Sequence, residues 1–146
     1  IRKVINKDSK DIYLWRNDNQ SILMSQNSLP IDKNTHVSWF NEIINNKNYY
    51  FFMGIINNEK IGVVRFDCNF KEKKSIVSIN LNPQLRGKGL STKLLNLSIK
   101  KFSNYQQLSL HAIIKKNNLK SKKVFSNCGF ILIKKIEEYE YYLLDL

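Results

Sequence analysis

Cysteine, proline and glycine are all scarce in this sequence: two, two and five residues among 146. Cys68 and Cys128 are too few for a disulfide framework or a zinc ligand set. A reducing, cytoplasmic setting is therefore the default, and no metal is expected. No apolar run approaches the roughly 20 residues that a bilayer crossing needs, so no membrane association is expected. The opening stretch Ile1–Ile5 is too short, and too soon followed by Asn6-Lys7-Asp8, to read as a secretory leader. Acidic residues are also few, 12 against 24 basic ones, which leaves a formal charge of +12. Such a charge raises nucleic-acid binding as a possibility. Arginine, however, supplies only Arg2, Arg16, Arg65 and Arg86 of it. Lysine, asparagine and isoleucine recur throughout, as A+T-rich codons would supply them. The charge reads as a solvated surface whose field favours anionic small molecules, with no nucleic acid as partner.

A hydrophobic fraction of 42% is ample for one globular core, and a single domain over residues 1–146 is expected. Patterning then alternates between helical and strand periods. Arg2–Ile5 reads as a short strand. Ser9 offers an N-cap for a helix with Ile12, Leu14 and Trp15, ending near Asn17-Asp18-Asn19. A short helical piece, Ile22–Ser25, precedes a loop with Pro30. From Asp32 a second helix places Val37, Phe40, Ile43 and Ile44 at helical spacing. Tyr49–Ile56, Ile61–Phe66 and Ser75–Leu81 read as three antiparallel strands separated by Asn/Lys turns. Leu90–Phe102 returns to helix, Leu108–Ile114 to strand and Leu119–Cys128 to helix. Ile131–Ile136 and Glu140–Leu144 make a closing strand pair. The fold class is α+β: mixed, with a mostly antiparallel sheet of about seven strands and about four helices.

Two of the five glycines fall together in Gln84-Leu85-Arg86-Gly87-Lys88-Gly89, between a strand and a helix. Glycines there permit positive φ and close approach of another group to the backbone. Successive free amides and a helix start form an anion-binding concavity, to which Arg86 and Lys88 add charge. A diphosphate is the natural occupant. The Gly-Lys-Ser/Thr of a Walker loop is missing, and the preceding strands are antiparallel, which excludes a dinucleotide fold.

The segment Leu81-Asn82-Pro83-Gln84-Leu85-Arg86-Gly87-Lys88-Gly89-Leu90-Ser91 resembles the strand–proline–R/Q-x-x-G-x-G/A signature of the GNAT superfamily of N-acetyltransferases. Asn118–Phe130 is similar to that family's N-x-x-A/S-x-x-x-Y-x-x-x-G-F, with Ser121, Phe125, Gly129 and Phe130 in register. The resemblance covers essentially the whole chain and implies an acetyl-CoA-dependent N-acetyltransferase on the GNAT fold. It implies that Leu81 pairs through its backbone with the pantetheine arm. Gln84 and the amides from Leu85 to Ser91, through Arg86, Gly87, Lys88, Gly89 and Leu90, would hold the pyrophosphate. Asn118 and its helix, with Phe125, would flank the thiol end, and the acetyl group would sit where Ser75–Leu81 and Leu108–Ile114 diverge. The family's usual tyrosine, donor of a proton to the departing thiolate, is Phe125 in this chain, so that role is vacant or moved.

Leu14-Trp15-Arg16-Asn17 and His36-Val37-Ser38-Trp39-Phe40 resemble segments of acetyltransferases of the pseudaminic-acid type, which modify a UDP-linked deoxy amino sugar. Arg16, Asn17, His36, Trp39 and Asp67 are therefore the candidate acceptor-binding residues. Arg16 suits a carrier phosphate, and Trp39 suits stacking on a base or sugar. Trp15 is a core candidate, and His111 reads as structural. Ser78, Asn80 and the Leu81 backbone are the candidate catalytic groups: a water-ordering face and an amide for the tetrahedral oxyanion. Other primary amines, such as a protein N-terminus, remain an alternative acceptor. A catalytically silent coenzyme-binding module and a homodimer also remain open.

Overall fold

A computed structural model describes residues 1–146. Seven strands form one sheet: β1 (Arg2–Lys3), β2 (Tyr49–Ile56), β3 (Glu59–Asn69), β4 (Lys74–Leu81), β5 (Ser109–Lys115), β6 (Ile131–Ile136) and β7 (Tyr139–Leu144). Their spatial order is β1-β2-β3-β4-β5-β7-β6. Every neighbouring pair is antiparallel except β4 and β5. Five helices cover the sheet: α1 (Ser9–Arg16), α2 (Asn19–Met24), α3 (Lys33–Ile44), α4 (Leu90–Ser103) and α5 (Leu119–Asn127).

Local chemistry sets the boundaries. Asp18 accepts from the Ser21 amide at 3.2 Å and so starts α2 where the sequence reading had α1 trailing off. Asp32 accepts from the Thr35 amide at 3.0 Å and caps α3. Asn118 does the same for α5 through Ser121. These side chains satisfy donors that a helix start otherwise leaves without partners. Strand β3 outruns the apolar stretch expected for it, continuing through Asp67, Cys68 and Asn69 because β4 pairs along its full length.

The sheet separates two apolar layers. On one face α4 and α5 bury Leu94, Leu95, Phe102 and Phe125 against Phe52, Val64, Phe66, Val77 and Leu110, with Phe66 stacked on Phe102 at 4.3 Å. On the other, α1 and α3 bury Ile12, Trp15, Phe40 and Ile43 against Phe51, Met53 and Val63. Helix α3 is turned slightly from its expected setting: His36, Phe40 and Ile43 face inward, while Val37 is exposed. A fully buried carboxylate, Asp8, ties this second layer together. It takes two bonds from Arg2 (2.7 and 2.9 Å), one from the Ile5 amide (2.9 Å) and an ion pair from Lys60 (2.9 Å).

Candidate active site

The parallel neighbours β4 and β5 stay together for only three positions, Lys74–Ile76 against Ser109–His111. Beyond them the strands part, and β4 has no partner on that side. The Asn82 amide donates to the Ile61 carbonyl at 3.0 Å, which fixes the alternation of the β3–β4 ladder. Asn80 and Ser78 therefore turn their main-chain groups toward β3. Val77 still turns toward β5, and Ile79 and Leu81 turn theirs into the gap. A row of free backbone donors and acceptors along a cleft is what an extended amide-bearing ligand needs.

At the upper end of the gap lies the glycine loop. Gly87 and Gly89 both have left-handed φ, +79° and +70°, and a Cβ on either would meet no atom of the chain within 4 Å. None of the amides from Gly87 through Thr92 donates to another group of the protein. Gly89 leads directly into α4, so these donors gather at the positive end of a helix of 14 residues. That arrangement suits a diphosphate. The amides of Leu85 and Arg86 differ, since they are spent within the turn, donating to Asn82 and Pro83. Leu85 is itself a core side chain. The Gln84 amide is likewise held, by the Asn82 side chain at 3.1 Å.

Residues 1–131 match the acetyltransferase (GNAT) domain family. The chain belongs to the GNAT acetyltransferases. It is an acetyl-CoA-dependent N-acetyltransferase. Solved structures of similar fold include a spermidine N-acetyltransferase from Vibrio cholerae in complex with CoA and spermine. It shares 17% identity over 97% of this chain and 90% of its own, with a TM-score of 0.82. The Campylobacter jejuni N-acetyltransferase PseH, in complex with acetyl coenzyme A, shares 19% identity over 97% of this chain and 92% of its own, with a TM-score of 0.74. A domain from Methanocaldococcus jannaschii reaches 24% identity and a TM-score of 0.84 over 99% and 96%. No protein of curated function matches the sequence.

In this GNAT domain Val77 faces the α4 layer, so Ser78 and Asn80 lie on the opposite face. Cross-strand register adds Arg65 opposite Ser78, and Asp67 and His111 either side of Ile76. Arg65 grips Asp67 with two bonds of 2.6 and 2.9 Å and lies 5.2 Å from the Trp39 ring centroid. Trp39, half-buried and edge-on to Phe51, borders this face. Sequence reading missed Arg65, whose position beside Asp67 emerges only from the β3–β4 register. Ser78 is exposed on this face, whereas Asn80 Oδ1 accepts from Ser21 Oγ at 3.1 Å.

Helix α2 and the loop after it form a strap over the gap. Lys115 Nζ on β5 donates to the Leu23 carbonyl at 2.9 Å, and the Tyr139 hydroxyl on β7 donates to the Gln26 carbonyl at 3.3 Å. Arg16 and Asn17 prove to be the strap's anchors. Arg16 Nη2 donates to the Asn27 carbonyl at 2.9 Å, and Asn17 brackets Ile31 through both its amide nitrogen and its oxygen (2.7 and 2.8 Å). Arg16 Nη1 is buried with no partner, and burial works against the charge of this side chain.

Several expected site residues lie elsewhere. His36 is only 3% exposed, packed among Tyr13, Trp39 and Phe40, with Nε2 2.9 Å from the Ser9 carbonyl. It is a core group, not an acceptor ligand. Phe125 is 2% exposed and edge-to-face with Phe130 at 5.0 Å, so it packs the floor under α5. Asn118 spends its side chain capping α5. Arg86, expected at the pyrophosphate, instead points at α2. Its Nη1 lies 2.5 Å from Asp18 Oδ2, and its Nη2 donates to Ser21 Oγ at 2.8 Å.

Burial lowers the His36 pKa, only partly offset by the bond to Ser9. Folding thus prefers the neutral ring. That contribution is whole above the unfolded histidine value near 6.5, and is lost as pH falls from there toward the depressed folded value. Thermal melts between about pH 7.5 and 5 should show a falling Tm, with a shallower slope in His36→Gln.

Burial also pushes both thiols up, Cys128 to about 11. Neither is a thiolate at neutral pH. No group of three or more histidine, cysteine, aspartate or glutamate residues gathers as a metal site. No helix is long and apolar enough to cross a membrane.

Proposed function

We propose that this acetyltransferase acts on the amino group of a small acceptor borne on an anionic carrier, best represented by a UDP-linked deoxy amino sugar. The observation that carries the reading is the charge of the acceptor face. The carboxylates that β3 and α2 bring there, Asp67 and Asp18, are each neutralised by an arginine, Arg65 and Arg86. Arg16 meanwhile keeps a buried Nη1 with no acidic partner. A polyamine carries several positive charges and needs uncommitted carboxylates. A diphosphate-linked sugar meets a complementary field. Trp39, with its face under Arg65, supplies a surface for a base or sugar ring.

In this reading the free amides from Gly87 to Thr92 hold the coenzyme's diphosphate, and the main chain of Ile79 and Leu81 takes its pantetheine arm. The acceptor nitrogen attacks the thioester carbon directly, forming a tetrahedral centre as the C–N bond forms. An amide facing the gap beside Leu81 stabilises the oxyanion. Collapse expels the thiolate, and the excess proton leaves the nitrogen through water on the Ser78 face. Protonated thiols at Cys68 and Cys128 favour this route over an acyl-enzyme. With Phe125 in the core, positioning of the two reactants supplies most of the rate.

The test follows free thiol while acetyl-CoA is presented with a UDP-linked 4-amino-deoxy sugar, spermidine, or a peptide with a free N-terminus. The sugar nucleotide should show kcat/KM at least about a hundredfold above the other two, as for a site built around its polar groups. Preferential turnover of spermidine or peptide overturns the acceptor assignment.

A further inference from the structure

The glycine loop has one arginine, and its guanidinium is committed to the acceptor side of the molecule. Arg86 reaches Asp18 Oδ2 at 2.5 Å, Ser21 Oγ at 2.8 Å and Gln20 Oε1 at 3.5 Å, partners between 65 and 68 residues away in sequence. Its side chain is 22% exposed and that of Asp18 26%. Three bonds from one planar fork to one short helix define an orientation, not merely an attraction.

The grip reaches further. Asp18 also caps α2 through the Ser21 amide, and Ser21 Oγ, while accepting from Arg86, donates to Asn80 on β4. Helix α2 has only six residues and buries none of them. With so little apolar anchorage, its placement depends on these polar ties at one end and on Lys115, Tyr139, Arg16 and Asn17 at the other. Meanwhile the residue after Arg86 begins the run of free amides on which a diphosphate would rest. One residue thus faces two ways: its backbone belongs to the donor loop, and its side chain belongs to the acceptor strap.

We propose that Arg86 is a positioning residue that couples coenzyme binding to ordering of the acceptor strap, residues 17–31, and is not a side-chain ligand of the diphosphate. The proposal rests on the reading that the Gly87–Thr92 amides hold that diphosphate. An anion seated there fixes the loop, and the fixed loop holds the fork against Asp18 and Ser21. By reciprocity, a strap already held by acceptor tightens coenzyme binding. The consequence is a preference for coenzyme binding first, with the acceptor side assembled around it.

Amide hydrogen exchange tests this with 3′-phospho-ADP, the half of CoA that ends at the diphosphate and cannot reach the acceptor cleft. In the wild-type protein it should slow exchange across residues 19–31 by at least about fivefold, the low end of ordinary coupling between sites. In Asp18→Asn the strap exchanges faster in the free protein, and the ligand-induced slowing disappears. Asparagine still caps α2, and the variant leaves every loop amide in place, so affinity for 3′-phospho-ADP stays within about threefold, the size of a weak exposed ion pair. Arg86→Lys, which keeps the charge but loses the fork, should behave as Asp18→Asn does.

Normal binding with slowing that persists in both variants, or with no slowing in the wild type, overturns the coupling. A loss of affinity beyond about tenfold in Arg86→Lys would return the side chain to the diphosphate. Failure of the wild-type chain to bind 3′-phospho-ADP at all would overturn the loop assignment itself, and the coupling with it.

Discussion

Gly62→Ala should cost this acetyltransferase both stability and its hold on acetyl-CoA. A Cβ at Gly62 would stand 2.7 Å from the Asn80 carbonyl oxygen, 3.0 Å from the Leu81 Cα and 2.8 Å from Leu81 Cδ2. Two of those three atoms are backbone and cannot swing aside. The native φ of +158° adds to the strain on any L side chain. Overpacking of this kind costs about 1–3 kcal/mol, so a fall in Tm of roughly 4–10 °C is expected for a chain of this size. The same atoms make the functional effect specific. Gly62 pairs with Leu81, and Leu81 turns its other main-chain edge into the gap. A push on β4 from the β3 side displaces the wall proposed above to take the pantetheine arm. Acetyl-CoA affinity measured by titration calorimetry should fall by about tenfold or more. Gly54→Ala is the control. Its nearest neighbours, at 2.6 and 2.7 Å, are the side chains of Leu94 and Ile61, away from the gap and able to change rotamer. Equal losses of coenzyme affinity in both variants would detach the effect from Leu81.

Asp8→Asn should be the more damaging change for folding alone. The Asp8 carboxylate has no solvent exposure, and burial alone would raise its pKa. Bonds from Arg2, the Ile5 amide and Lys60 overcome that and hold it well below the usual carboxylate range. Removing the charge leaves Arg2 and Lys60 facing a neutral amide in a site built for an anion. Breaking a buried pair costs about 3–5 kcal/mol. Both cations are about one-third exposed at the side chain and can turn toward water, so about 2–3 kcal/mol is expected. The sign with pH follows. A depressed carboxylate stabilises the fold above its unfolded value near 3.9, and that contribution disappears as pH drops below it. Urea denaturation should show the two proteins converging in stability at low pH and separated at neutral pH. A constant difference across that range would mean that the substitution acts by packing, not by charge.

The order and class of elements were legible from the sequence because burial writes them there. The aromatic and β-branched run at Tyr49–Ile56 and the helical spacing of Leu90, Leu94 and Leu95 are direct records of which face meets the core. The glycine pair at Gly87 and Gly89 was equally readable, since only backbone geometry demands it. What escaped was the choice of partner. Arg86 next to two glycines looks like a phosphate ligand until the fold brings Asp18 within reach across 68 residues. His36 was a substrate candidate through the resemblance of its segment, and only the packing of α3 shows its ring buried beside Phe40. Phe125 was read by its place in a motif, but the core decides what the ring touches. The strand extension at Asp67–Asn69 has a single apolar residue, Cys68, and is written into β4, not into itself. Arg65 and Asp67 form a pair two residues apart on one strand face, a pattern that only becomes informative once the strand is known to run that far.

The brief seam between β4 and β5 has a bearing on how this architecture could be altered. Because the two half-sheets share only a few rungs, the aperture between them is set by what lies above and below: α4 and α5 on one side, the strap on the other. Of these coverings only the strap can be trimmed without cutting into the core, since α4 and α5 carry Leu94, Leu95, Phe102 and Phe125 whereas α2 buries no residue. The strap is thus the part of the molecule where the width of that opening can drift while the scaffold stays whole.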